Sequence, residues 1–495
     1  MAVKVDTQKE IIFGSSDPNI SRVLSKKEKN GELRKVAPRI YTTNLIDSLE
    51  NIVRRNLMDI LVYRYPDALI SHRSAKEMRP TATGDFFLTN STTRRVTDLP
   101  GITLNFVKGP KATSRDIPFM GMHISGEYRY MLENMQVSRK SGDESRILPT
   151  SVIENKLEQI LLTGGEDRLN EYRDELSSVA EELGMQNEFA KINNIISALL
   201  STHDSKVLST DSAKALAAGN PFDKTRVELF EVLFDAIKDR YFAIRNNRNT
   251  DEESFHLFSF FESYFSNYIE GTEFEVDEAK AIVDSGIPMP RRDEDSHDIL
   301  GTFKVLSNRA EMMKTPTSPK ELFAILSHRH SILLEGRPHM NPGIFKIKNN
   351  RAGMTEFVDY QLVKGTLSQG FKYYAALTDP FARAIFMMFM ISEVHPFNDG
   401  NGRVARVMMN AELVRADQSR IIVPTVFRED YILALRKLTR HKDPMAYINV
   451  MTKLHQFSDN LYGTDFTELK NYLAACNAYE EPSQAKLQIR EREIL

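Results

Sequence analysis

Cysteine is nearly absent: Cys476 is the single one in 495 residues, so no intrachain disulfide can form, which fits a reducing compartment. A long apolar run is absent too. The greasiest stretch, about 384–394, directly follows Arg383 and is far too short to span a bilayer, which leaves a buried core helix. The opening "MAVKVDTQKEIIF" has no apolar h-region, so no signal peptide is expected. Charge of one sign is lacking: 65 Lys and Arg against 68 Asp and Glu leave a net −3. That excludes a polycation built to coat nucleic acid, though not a local basic face. There is no internal repeat and no low-complexity segment. With 41% hydrophobic residues, the expectation is a cytoplasmic protein of about two to four domains with no membrane partner.

What is present changes texture along the chain. Residues 1–77 look helical except for "GELRKVAPRIYTTN", a short basic strand pair after a helix and a Gly turn, which together suggest a small winged helix-turn-helix domain. Residues 78–150 hold short β-branched and aromatic runs between Gly, Pro, Asn and Asp, read as a strand-rich domain. From about 150 the period becomes helical, with 151–222 read as a helical connector ending in a polar, aperiodic loop at 201–223. Helices follow over 223–290, then a helical core over 291–460, then a C-terminal helix and tail over 461–495. "FKIKNNRAGMTEFVDY" interrupts the helices as a candidate hairpin. The fold class expected is mainly α, preceded by a mixed α/β N-terminal region.

The chemistry concentrates in "HPFNDGNGRVAR", His395–Arg406. Asp379-Pro380 starts a helix with an N-cap acid and a proline at the first position, and Pro396 ends it near Val394. "RVARVMMNAELVRA" then opens a second helix, so Gly400, Asn401 and Gly402 sit at a helix N-terminus. There the glycines let several backbone N–H groups point at one spot, and the helix dipole adds positive potential: an anion site suited to phosphates. Arg403 and Arg406, three apart, share roughly one face and can reach the same polyanion. Asp399 is an oxygen ligand of the kind Mg²⁺ takes beside phosphates. His395, at the end of a rigid helix, can accept a proton from an incoming hydroxyl.

This stretch resembles the Fic family signature, His-x-Phe-x-(Asp/Glu)-Gly-Asn-Gly-Arg-x-x-Arg, at His395, Phe397, Asp399, Gly400, Asn401, Gly402, Arg403 and Arg406, without departure. The resemblance extends over about 255–455 in the order and spacing of helices. It implies a Fic-type helical core with a β-hairpin flap that transfers AMP from ATP to a Ser, Thr or Tyr hydroxyl of a protein. It implies His395 as general base, Asp399 on Mg²⁺, Gly400, Asn401 and Gly402 around the α- and β-phosphates, and Arg403 and Arg406 on the phosphate tail, with Arg406 on the γ-phosphate. Phe397 is implied as a core anchor. The family's kinase-like branch has Lys where Gly402 stands, which argues against that branch.

Upstream, "FSNYIEGTEF" resembles the family's inhibitory-helix motif, (Ser/Thr)-x-x-x-Glu-(Gly/Asn), at Ser266, Glu270 and Gly271, roughly 125 residues before the loop. Ser266 and Glu270 are one turn apart on a helix expected over about 256–271, with Gly271 as its cap. The resemblance implies that Glu270 pairs with Arg406 and removes the γ-phosphate's partner. The alternative is a solvated glutamate before a cap.

Other signals stay open. "REDYILALRKLTRHKDPMAYI" resembles the helix that helps close the family's adenine pocket, with Tyr431 as ring contact or as packing; Leu438 falls where some members have Asn. The hairpin at about 345–360 occupies the position of the flap, where a target segment docks as an added strand. His328, His330 and His339 fit no strong zinc pattern and read as structural or exposed. "ELRKVAPRIYT" and the residues before it resemble the start of abortive-infection antitoxins that carry a winged helix. That implies DNA as a partner through Lys26, Lys27, Lys29, Arg34, Lys35 and Arg39, against a solvated basic face. The leading expectation is therefore an adenylyltransferase autoinhibited through Glu270, using Mg-ATP on a protein substrate and on itself. The competing ones are a DNA-binding regulator whose core only self-modifies or senses nucleotide, and transfer of another nucleotide such as UMP.

Overall fold

The computed structural model describes residues 9–201, 205–353 and 355–492; parts of the aperiodic stretch, of the hairpin turn and of both termini lie outside them. The chain divides into two compact units, 1–218 and 219–495.

In the first unit, Asp17 accepts the Asn19 N–H and Pro18 opens the helix Pro18–Lys29. Strands Ile11–Phe13, Ile40–Thr42 and Arg34–Ala37 form an antiparallel sheet in that spatial order. A mixed six-stranded sheet follows, in the order Arg94–Leu99, Ile102–Lys108, Asp85–Asn90, Leu69–Ile70, Met122–Ile124, Ile117–Phe119. Here the structure differs from the expected division at 77. Leu69–Ile70 pairs with Asp85–Asn90 on one side and Met122–Ile124 on the other, and Ile40, Ile52 and Leu61 share one core with Phe86, Leu104 and Phe106. Between the first strand and the strand pair Arg34–Ala37/Ile40–Thr42 lie the one helix Pro18–Lys29 and a turn at Gly31 (φ 73°). Lys26, Lys27 and Lys29 occupy the last turn of Pro18–Lys29, where cations suit the helix dipole. Lys27 pairs with Glu32 at 2.8 Å, and Arg34 donates to the Asp47 carbonyl at 2.7 Å.

Within the segment expected as a helical connector, the helices of the first unit share a core of their own. The helix Thr150–Leu183, broken at Gly165 (φ 74°), packs with Gln186–Leu199 around Leu157, Leu176, Ile192 and Ile196. Inside the expected loop, Thr210 caps a short helix Asp211–Ala217, Ala213 is buried, and Ser212 donates to Glu158 at 2.7 Å.

The second unit is helical, as expected from its period. Asp379 accepts the Ala382 N–H at 2.9 Å, Pro380 takes the first position, and the helix Pro380–Val394 follows, almost wholly buried. It packs against Asn401–Arg415, Lys224–Ile237 and Val363–Ala376. The phenylalanine-rich run lies in the helix Glu252–Ile269 and is core packing. One core joins 223–290, 291–460 and the C-terminal segment: Phe466 stacks on Phe261 and Tyr479 on Phe265. The expected hairpin is present as Arg351–Ala352 against Thr355–Glu356. Among the described residues no helix is long and apolar enough to cross a membrane.

Candidate active site

A cavity of about 420 Å³ opens between the end of Pro380–Val394, the start of Asn401–Arg415, the hairpin and the helix Arg428–His441. His395 closes the first helix: its N–H bonds the Ile391 carbonyl at 2.9 Å while its own backbone is left-handed (φ 50°, ψ 61°). For a non-glycine residue that conformation costs roughly 1–2 kcal/mol. Nδ1 lies 2.8 Å from the Ser392 carbonyl oxygen. A carbonyl only accepts, so Nδ1 carries the hydrogen and Nε2 keeps its lone pair. The ring stacks on Phe357 with centroids 3.5 Å apart. Burial pushes the imidazole down to about 4, against the opposing pull of the Ser392 bond and the Glu270 charge. The His395 imidazole is thus neutral at physiological pH.

The loop after it is braced from within. Asn401 accepts the Phe397 N–H at 2.8 Å and donates to the Phe397 carbonyl at 2.9 Å, so its side chain is used in folding the loop. What remains for an anion is the backbone N–H groups of the first helical turn, which have no intrahelical acceptor. Phe397 is fully buried. Beneath it, Gly343 donates to His330 Nδ1 at 2.8 Å, which leaves Nε2–H to donate to the Asp399 carbonyl at 2.9 Å. The His330 ring stacks on Phe397 at 3.7 Å, and burial takes it down to about 4. His330 is a loop brace that no sequence spacing distinguished from His328 and His339, both of which stand outside the cavity.

Arg406 is buried and fully engaged. Its Nε donates to Ser266 Oγ at 2.9 Å, and its Nη2 donates to the Ser266 carbonyl at 2.9 Å and to Glu270 Oε1 at 2.7 Å. Glu270 caps the helix Glu252–Ile269, with Gly271 just beyond at φ 93°. A Cβ on residue 402 would stand 2.1 Å from Glu270 Oε1, so the carboxylate rests against the backbone of the anion site itself. Burial pushes the Glu270 carboxyl up, but the Arg406 guanidinium outweighs it and holds the group below its ordinary value.

Arg403 is placed differently from the expectation that it faces the phosphates. It does not line the cavity; its Nη1 pairs with Asp298 at 2.8 Å and donates to Asn267 Oδ1 at 3.3 Å. Asp298 is shared with Arg337 at 2.7 Å. The reason is local charge: a buried carboxylate on the neighbouring helix Asp293–Leu306 claims the guanidinium. Tyr431 lines the cavity with its hydroxyl beside Arg406, and burial raises that hydroxyl's pKa. Leu438 lies in the core, away from the cavity wall.

The Asp399 carboxylate is 40% exposed at the cavity, and its cationic neighbour, Arg403 Nη2, is 3.9 Å away, beyond hydrogen-bond reach. Among the described residues no group of three or more His, Cys, Asp or Glu could hold a metal. Asp399, a carboxylate at the cavity without a hydrogen-bonded cation, would be the protein's ligand to a Mg²⁺ ion that keeps water and phosphate ligands. Two further residues escaped the sequence reading. Glu393 lines the cavity, paired with Arg226 at 2.8 Å and accepting from the Thr439 hydroxyl. Lys346, buried below the hairpin, donates to Asn350 at 2.7 Å, and Asn350 donates to the Phe397 carbonyl at 2.9 Å, which ties hairpin to loop. Burial pushes the Lys346 ammonium down to about 8.

Residues 321–413 match the sequence model of the Fic/DOC family. The chain is 26% identical over 216 residues to the protein adenylyltransferase Fic of Nematostella vectensis, covering 40% of this chain and 47% of that protein. It is 23% identical over 231 residues to the protein adenylyltransferase fic-1 of Caenorhabditis elegans, 45% of each. The chain thus spans about half the length of these curated relatives. Among solved structures, Fic-1 (residues 134–508) from C. elegans aligns at 17% identity and a TM-score of 0.35, covering 66% of this chain and 93% of that one.

Proposed function

From a chain that carries a Fic domain at residues 321–413, we propose a protein adenylyltransferase: AMP passes from Mg-ATP to a Ser, Thr or Tyr hydroxyl of a protein, with Glu270 holding the site in check. The observation that carries the reading is the pairing of a neutral histidine base with a helix N-terminal anion site whose arginine, Arg406, is already occupied by a carboxylate. The names of the curated relatives support the same chemistry.

In this reading the phosphates lie along the first-turn N–H groups at Gly400–Gly402, where Glu270 Oε1 now sits, and Arg406 takes the terminal phosphate once Glu270 leaves. Asp399 would hold Mg²⁺, which when bound neutralises phosphate charge. His395 Nε2 takes the target hydroxyl's proton as that oxygen bonds the α-phosphorus and pyrophosphate departs with the electrons of the broken P–O bond. Tyr431 forms part of the nucleoside wall. The hairpin, tied to the loop through Asn350, presents the target as an added strand.

The test is incubation of the Glu270→Gly protein with ATP, and separately with UTP, followed by mass spectrometry of the protein and of added candidate targets. An AMP adduct on a hydroxyl is expected. Uridylyl adducts alone would move the reading to a different donor, and no adduct with any nucleotide would contradict it.

A further inference from the structure

The charge balance at the mouth of this cavity is uneven. Two carboxylates on its wall have their own cations: Glu270, one-third exposed, has Arg406, and the buried Glu393 has Arg226. Three arginines on the same wall, Arg351, Arg436 and Arg440, are exposed, and among the described residues none makes an ion pair. Arg436 and Arg440 are four residues apart on the helix Arg428–His441, so they stand on one face, one turn apart. Arg351 stands across the mouth on the first strand of the hairpin. Arg440 reaches that hairpin, donating to Thr355 Oγ1 at 3.2 Å. The carboxylates nearby are Asp399, on the loop side, and Glu356, across the hairpin from Arg351 in register. Glu356 is outside the cavity wall and makes no ion pair with Arg351. The rim between hairpin and helix thus carries three arginines without an ion pair among the described residues, on the wall of the cavity that also holds His395.

We infer that the protein substrate is recognised as an acidic segment: the hydroxyl that enters is flanked by Asp or Glu, which pair with Arg351, Arg436 and Arg440. This rests on the adenylyltransferase reading above. The physical basis is complementarity. Guanidiniums match carboxylates in planar, bidentate geometry. An exposed cationic rim raises the local concentration of anionic chains and falls in effect as salt shortens the Debye length to about 8 Å at physiological strength. An acidic segment beside the hairpin would also meet the two-stranded ladder's open edge, so backbone pairing and charge would act on the same chain.

The experiment uses the full chain with Glu270→Gly, ATP labelled on the α-phosphate, and three peptides of equal length that carry one threonine and one tyrosine flanked by Asp/Glu, by Ser/Asn, or by Lys. The acidic peptide should label about tenfold better in kcat/KM than the neutral one at low salt, the gap closing by 0.5 M NaCl. The basic peptide should be poorest. Arg436→Ser with Arg440→Ser should abolish the preference with ATP affinity unchanged, and Arg436→Glu with Arg440→Glu should invert it toward the basic peptide, which also shows that the variant folds. Equal labelling of all three peptides overturns the inference while leaving the adenylyltransferase reading standing. Loss of ATP affinity in the serine variant overturns it in favour of a nucleotide role for these arginines. No label on any peptide or on the protein itself counts against the underlying reading.

Discussion

Glu270 Oε1 lies 2.7 Å from Arg406 Nη2 and on the spot a Cβ at residue 402 would crowd at 2.1 Å. One carboxylate thus pairs with the guanidinium and packs close against the backbone of the helix N-terminus. In the proposed reading it would occupy the place of a phosphate, and the glycine at 402 makes room for it.

His395→Ala should leave ATP bound and remove transfer. In the proposed reading the phosphates would be held by the helix N-terminus, and by Arg406 once Glu270 leaves it, while the imidazole would move only the proton; loss of a general base costs roughly 10²–10⁴-fold. Single-turnover labelling beside calorimetric ATP binding checks this. Near-normal labelling would remove His395 from that role.

The His395 imidazole should titrate near pH 4 and be hydrogenated on Nδ1. Because its folded value lies below the ordinary 6.5, the folded state holds fewer protons than the unfolded chain between the two. Its neutral form should persist to about pH 4, and the contribution of this group to stability should be lost as pH falls from 6.5 toward 4. Imidazole ¹⁵N shifts against pH report both; a midpoint near 6.5 or an Nε2–H tautomer would contradict the geometry.

Asp399→Asn should weaken Mg-ATP by about tenfold or more and leave metal-free ATP little changed, since the carboxylate faces the cavity without a hydrogen-bonded cation. Calorimetry with and without Mg²⁺ separates the cases. Equal weakening in both would place Asp399 in loop structure instead.

Arg403→Ala and Arg406→Ala should part company. In a Glu270→Gly background, Arg406→Ala should lose about tenfold or more in ATP affinity, in line with one charge-assisted hydrogen bond. Arg403→Ala should change affinity by less than about threefold and instead lower thermal stability, because it leaves Asp298 with Arg337 alone and frees Asn267. The reverse order of effects would show Arg403 turning toward the nucleotide.

The parts of this site that were legible in the sequence were local. Asp379-Pro380, the His395–Arg406 loop and the Ser266/Glu270 pair each declare themselves through spacing on one element, because caps, glycines and one-turn separations are near-neighbour physics. What stayed hidden depends on distant partners. His330 is fixed by Gly343 and Asp399, Arg403 is claimed by Asp298, and Glu393 is satisfied by Arg226 and Thr439. The N-terminal unit shows the same limit. A two-residue strand, Leu69–Ile70, is too short to carry a period, yet its pairing on both sides joins regions the texture of the sequence had divided.

The most direct measurement compares wild-type protein, Glu270→Gly, and Glu270→Gly with Arg406→Ala for incorporation of label from α-labelled ATP. Freeing Arg406 should let the phosphate tail settle and bring the α-phosphorus into line with His395, a gain of roughly a hundredfold for correcting a misplaced reacting atom. The account predicts weak labelling of wild type, labelling about a hundredfold faster in Glu270→Gly, and a return to weak labelling in the double variant. Equal labelling and equal ATP affinity in wild type and Glu270→Gly would contradict it and leave Glu270 an ordinary helix cap.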